Sequence, residues 1–233
     1  MKTNKLILGD GLLGSELVKQ TGWDYISRKK DNFNLEDIES YIRENDNYDE
    51  IINCIAHTDT YSDDSEKHLS VNFDFVVNLV KICNQTSKKY IHISTDYVYT
   101  HSKPFSSEKD VPVHLGTWYG YSKLLADGYV QRCSYNHLVC RSTHKEKPFK
   151  YDKAWTNQYG NFDYVDKQTE RIIHLIENDK NGLYNIGGEL TTMYLLGKKT
   201  RDVLPDDTIK GAPTDVTMNI NKLKRCVNDK EEL

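Results

Sequence analysis

At 233 residues the chain has room for one α/β domain, or for one domain with a small appendage. A formal net charge of −4 gives no general attraction to nucleic acid or to anionic membranes, and no apolar run is long enough to span a bilayer. Hydrophobic residues make up 37% and the mean hydropathy is −0.71, so much of the burial falls to 16 tyrosines and 6 phenylalanines.

No charged-then-apolar leader is visible, and a soluble, cytoplasmic protein is expected. The five cysteines (Cys54, Cys83, Cys133, Cys140 and Cys226) are scattered and form no C-x-x-C pair. That pattern points to reduced thiols rather than to disulfides or zinc, and no metal site is expected.

Residues 5–8 are a short apolar run and read as a buried strand. They lead into Gly9-Asp10-Gly11-Leu12-Leu13-Gly14, and residues 15–19 then read as a helix. Strand, G-x-G-x-x-G and helix is the context of a dinucleotide fingerprint. Gly9 would serve the tight turn, Gly11 the approach of a pyrophosphate, and Gly14 close helix–strand packing.

Residues 23–27 read as a second strand, ending in Ser27-Arg28-Lys29-Lys30. An NAD enzyme carries an acidic residue there, whereas an Arg accommodates the 2′-phosphate of NADP. NADPH is therefore favoured, with NADH as the alternative. A solvated basic turn between Asp24 and Asp31 explains the same residues. Asn34 is expected to cap a helix running to about Glu44.

A third strand is expected over 50–56, with His57 to Thr60 at its C-terminal end, where open α/β sheets hold ligands. A long helix over 68–87 presents Leu69, Phe73, Val76, Val80 and Cys83 at helical spacing. Asn72 interrupts that stripe, as a surface residue or as a buried hydrogen-bonding one. Residues 90–94 read as a fourth strand, followed by Thr95-Asp96-Tyr97. Hydroxyls placed there suit a substrate carbonyl, and equally an ordinary strand-end cap.

After a loop over 101–117 comes a helix to about Cys133, on which Tyr119 and Lys123 are four apart and share a face. A phenol titrates near pH 10, and a neighbouring ammonium would lower that value and make it a usable proton donor. Alone, the spacing is as well explained by two exposed helix residues. Residues 137–141 read as a fifth strand. Five alternations of strand and helix imply a right-handed, doubly wound parallel sheet.

Beyond Arg141 the pattern weakens. Residues 142–160 lack periodicity, 162–166 read as a strand or strand end, and 167–178 as an amphipathic helix. Residues 182–188 read as a Gly-bounded strand, and 193–200 as a short helix before a charged tail. The expected architecture is α/β, a doubly wound parallel Rossmann sheet with a small C-terminal substrate-binding region. The NAD(P)-binding domain would span 1–141 and the shortened region 142–233, with parts of 161–190 packing back on the sheet.

Taken together, the ordered motifs resemble the extended short-chain dehydrogenase/reductase superfamily, and within it the dTDP-4-dehydrorhamnose reductase-like enzymes. The carriers are Gly9-x-Gly11-x-x-Gly14, Asn53-Cys54-Ile55-Ala56, Val71-Asn72, Ser94-Thr95-Asp96-Tyr97-Val98-Tyr99, Glu108-x-Asp110 and Tyr119-Gly120-Tyr121-Ser122-Lys123. Tyr97 after Asp96 resembles the reductase branch, because the dehydratase branch has Glu there. The chain departs from relatives in its short second half and in His144, where many carry Trp.

The resemblance implies that Tyr119 protonates a keto oxygen, that Lys123 binds the nicotinamide ribose and lowers the pKa of Tyr119, and that Thr95 hydrogen-bonds the same carbonyl. Asn72 would support the Lys through a water or a backbone carbonyl. Cofactor contacts would come from Gly9, Gly11, Leu12, Leu13, Gly14, Arg28, Asn34, Cys54, Ile55, Ala56, Asn72, Tyr119 and Lys123. Substrate contacts would come from Thr58, Thr95, Asp96, Tyr97 and His144. The implied substrate is a nucleotide sugar, and the implied assembly a homodimer. A nucleotide-sugar epimerase and a non-catalytic NADP-binding regulatory subunit are the rival readings of the same motifs.

Overall fold

In Lys5–Leu8, Leu6 and Leu8 turn to one side and Ile7 to the other, and all three are wholly buried. A strand apolar on both faces must be covered on both, which is the condition of a parallel sheet wound by helices. The computed structural model describes residues 3–209 and 211–228. In chain order it holds β1 (Lys5–Leu8), α1 (Leu12–Thr21), β2 (Asp24–Ile26), α2 (Arg28–Asp31), α3 (Ile38–Glu44) and β3 (Glu50–Asn53). There follow α4 (Ser65–Leu69), α5 (Phe75–Gln85), β4 (Lys89–Thr95), α6 (Trp118–Cys133) and β5 (His137–Ser142). The remainder comprises β6 (Lys153–Trp155), β7 (Tyr159–Gly160), α7 (Val165–Glu177), β8 (Gly182–Ile186), β9 (Thr191–Thr192), α8 (Met193–Lys198), β10 (Leu204–Asp206), β11 (Asp215–Val216) and α9 (Asn221–Asn228).

Six strands form one parallel sheet in the order β2-β1-β3-β4-β5-β8. The winding reverses between β1 and β3, and a crevice opens at such a point. On one face α3, α5 and α6 bring Ile38, Leu79, Val80 and Val130 against Leu6, Leu8 and Ile51. On the other, α1, α7 and α9 bring Leu17, Ile172, Leu175 and Leu223 against Ile7, Ile52 and Ile91. Each such side chain contributes about 1.5–3 kcal/mol on burial. Two small sheets, β6-β10 and β7 between β9 and β11, make the rest.

Several boundaries differ from the sequence reading. The third strand stops at Asn53, whose Oδ1 accepts from the Ile55 N–H at 3.0 Å and turns the chain out of the ladder. The long helix begins at Ser65, where the Asp64 side chain accepts from the Lys67 N–H. It widens into a π turn over Ser70–Asp74 before continuing as α5. The extra residue rotates the buried face, so α5 buries Phe75, Val76, Leu79 and Val80, while Leu69 and Phe73 are only half-buried.

Residues 162–166 are not a strand. The Tyr164 N–H is taken by the Asp163 side chain, and one bridge to Lys145 precedes α7. The predicted helix over 193–200 ends at Lys198. Beyond residue 228 the charged tail lies outside the described residues.

Candidate active site

The crevice at the switch point is a cavity of about 470 Å³. Its floor is the glycine loop. Gly9 has φ +94°, which only glycine adopts at no cost, and its N–H donates to the Ile26 carbonyl at 2.8 Å. A Cβ on Gly14 would collide with the Gly9 carbonyl oxygen, so α1 can come this close only with glycine there. A Cβ on Gly11 would meet nothing within 4 Å, because Gly11 faces the open cavity. Gly11 precedes α1 without a side-chain cap, leaving first-turn N–H groups for an anion. This cradle fits the pyrophosphate of a dinucleotide. Arg28, first residue of α2, is exposed, and Gly9 and Ser27 meet at the Ile26 carbonyl between them.

The second wall follows β3. Cys54, Ile55, Ala56 and Thr58 line the cavity. Their loop is clamped by Asn72, which is buried in the π turn. Asn72 Oδ1 accepts from the His57 N–H at 2.8 Å, and its Nδ2 donates to the His57 carbonyl at 3.1 Å and to Ser122 Oγ at 3.1 Å. Asn72 thus ties the β3 loop to Ser122, the residue before Lys123, and makes no direct bond to Lys123.

The third wall carries the reactive groups. Thr95 ends β4, buried, with Oγ1 donating to Asp96 Oδ1 and accepting from the Tyr97 N–H. Thr117 caps α6 by accepting from the Gly120 N–H at 3.2 Å. On this helix Tyr119 and Lys123 line the cavity beside Thr95. Lys123 Nζ donates to the Ile93 carbonyl at 2.6 Å. Beneath them Asp127 Oδ2 accepts from Arg141 Nε at 2.6 Å, with both side chains buried, and Arg141 also bonds the Tyr99 hydroxyl. This ion pair fixes the roll of α6 on β5.

Burial pushes the Tyr119 phenol up to about 12; the Thr95 hydroxyl opposes the rise and the Asp96 carboxylate adds to it. The expected lowering by Lys123 is not seen, because that ammonium is turned to the Ile93 carbonyl. Burial brings Lys123 down to about 8, with Asp127 resisting. Asp96 is raised to about 6 by burial, against Lys145, and His144 is lowered to about 4 by burial, then by Lys145 and Lys123. At neutral pH the site thus holds a protonated phenol, an ammonium and a neutral imidazole.

A sequence profile described as the RmlD substrate binding domain matches residues 4–144. This chain belongs to that family. The spore coat polysaccharide biosynthesis protein SpsK of Bacillus subtilis (strain 168) is 28% identical over 151 residues, which cover 60% of this chain and 53% of that protein. The match thus spans about half the length of that relative. A dTDP-4-dehydrorhamnose reductase of Bacillus anthracis, solved in complex with NADP, superposes with TM-score 0.81 at 20% identity, covering 97% of this chain and 92% of the other. A hypothetical dTDP-4-dehydrorhamnose reductase of Sulfolobus tokodaii gives 0.80 at 23% identity, covering 96% and 94%. The UDP-glucuronic acid 4-epimerase of Bacillus cereus in complex with NAD gives 0.72 at 16%, covering 97% and 90%. At these identities the likeness is one of fold. No helix among the described residues is long and apolar enough to cross a membrane.

Within this RmlD-family frame the cavity gathers Gly11, Leu12, Leu13, Cys54, Ile55, Ala56, Thr58, Thr95, Asp96, Tyr97, Tyr119, Lys123 and His144. Gly9 and Gly14 lie under it, Asn72 behind it, and Arg28 outside its lining. Asn34 does not join them: it is exposed, makes no capping bond and lies away from the cavity. Sequence reasoning missed Lys145, Lys150 and Tyr151 on the far wall, and His114. His114 Nδ1 meets the Tyr97 carbonyl at 2.9 Å and its Nε2 accepts from the Thr117 N–H at 2.8 Å, joining the β4 end to the start of α6. The rule that ligands gather at strand C-termini reaches Lys145, three residues beyond β5. Nothing in the sequence marks His114.

Proposed function

We propose that this chain is an NADPH-dependent reductase of the 4-keto group of a nucleotide-linked 6-deoxyhexose, acting in deoxysugar (dTDP-rhamnose-type) nucleotide synthesis. The observation that carries it is the convergence of Thr95, Tyr119 and Lys123 on one wall of a cavity whose floor is the glycine cradle. NADPH, when bound, supplies the hydride. Tyr119 keeps its proton at neutral pH and donates it to the keto oxygen as charge develops there. Thr95 Oγ1, whose proton rests on Asp96 Oδ1 in this structure, turns it to the same oxygen when a ketone occupies the site. Lys123 holds the cofactor ribose through its ammonium and keeps positive charge near the phenol. Arg28 meets the 2′-phosphate.

The test follows absorbance at the nicotinamide band with NADPH and several 4-keto-6-deoxy sugar nucleotides. Oxidation with at least one is expected; none with any of them overturns the reading. Arg28→Ala should lose about tenfold or more of the preference for NADPH over NADH, the worth of a charged hydrogen bond, in comparative kcat/KM measurements. The reading carries with it a cytoplasmic homodimer, for which light scattering of the purified protein is the check.

A further inference from the structure

One wall of the cavity has no part in the chemistry above. Lys145 is held at both sides of its peptide: its N–H donates to the Asp163 carbonyl at 3.1 Å, and its carbonyl accepts from the Val165 N–H at 2.8 Å. From this fixed stem its side chain enters the cavity that holds Thr95 and Tyr119. Among the described residues the ammonium has no hydrogen-bond or ion-pair partner; its nearest charges are Asp96 and Lys150. Glu146, the other acid on this wall, is engaged by Lys150 at 3.7 Å. Asp96 is almost wholly buried, and its Oδ2 has no partner. It and Lys145 share the cavity without closing into an ion pair.

A partly desolvated ammonium that faces a cavity without a partner is unfavourable unless something completes it. A sugar nucleotide brings that complement in the anionic oxygens of its diphosphate. We propose that Lys145 binds an anionic oxygen of the substrate's diphosphate. This rests on the reductase reading, because it takes the ligand of the cavity to be a sugar nucleotide.

The test is calorimetric titration of the NADPH-loaded protein with thymidine 5′-diphosphate, with glucuronate and with thymidine, for the native chain, K145M and K145R. The expected result is a loss of about tenfold or more in affinity for the diphosphate in K145M, most of it restored in K145R. Thymidine and NADPH affinities should stay unchanged. A loss confined to the diphosphate supports the proposal, and one confined to glucuronate overturns it. Unchanged affinity for both anions overturns the proposal, as does an equal loss for NADPH. Should K145M not fold, K145Q takes its place under the same criteria. Because the readout is binding, absence of NADPH oxidation sinks the reductase reading alone, while unaltered anion binding sinks this one.

Discussion

From Lys5 to Ser142, five parallel strands of three to seven residues form one sheet, and all but the edge strand β2 carry side chains buried on both faces. From Lys153 to Val216, β8 apart, the strands are two or three residues long and pair in two small sheets. The first region is held by periodic apolar burial. The second has a small apolar core of its own, with Phe149, Phe162, Met193, Leu196 and Val216, and is tied by side chains that bond distant backbone. Asn161 donates to the Gly188 carbonyl and accepts from the Met218 N–H, Gln158 donates to the Pro213 carbonyl, and the Tyr164 hydroxyl donates to the Leu196 carbonyl. The sheet and its helices thus position Thr95, Tyr119 and Lys123, and the second region supports the cavity wall that includes Phe149.

The sharpest break of that division comes from Tyr119→Phe. It should lower kcat by about 10²–10⁴-fold with little change in NADPH affinity, measured by stopped-flow turnover and by titration. A variant that kept its rate would move the chemistry off the sheet side altogether. Next, Asp127→Ala strands the buried Arg141 guanidinium beneath α6 and should cost about 3–5 kcal/mol in denaturant unfolding, as one cooperative loss.

Asn161→Ala should cost less, about 1–3 kcal/mol for the groups it leaves unpaired. Its effect should be local: hydrogen exchange should speed up over residues 153–218 while β1 and β4 stay protected. Exchange rising equally in the sheet would show that the two regions open together. A further effect is a slope with pH, seen only in the alkaline range. Lys123 titrates near 10.5 when unfolded and about 8 when folded, so between those values the unfolded chain binds more protons. Stability from this group therefore rises with pH from about 8 to 10.5 and is flat below. Lys123→Met should remove that rise in unfolding curves taken across the window.

How much was legible follows the same division. Lys5–Leu8, Ile51-Ile52 and Leu138-Val139-Cys140 are apolar on both faces, and Gly9, Gly11 and Gly14 are dictated by turn, ligand and helix contact, so sheet and cradle could be read directly. Tyr119 and Lys123 were legible as a pair, but their electrostatics were not, because the Ile93 carbonyl that captures Lys123 is 30 residues away in sequence. Asn72 could be recognised as an exception to a stripe, yet its role depends on an extra residue in the helix that no periodicity announces. His114, Lys145 and Asn161 lie in aperiodic stretches, where position is set by single polar bonds.

The π turn over Ser70–Asp74 carries a further consequence. Removing one residue there would restore an ordinary helix and should favour it locally. The same deletion would rotate the segment before it by about 100° relative to α5 and take the Asn72 carboxamide off the His57 backbone. At this point in the chain, better helical order and a correctly shaped cavity are competing ends, and the native length sides with the cavity.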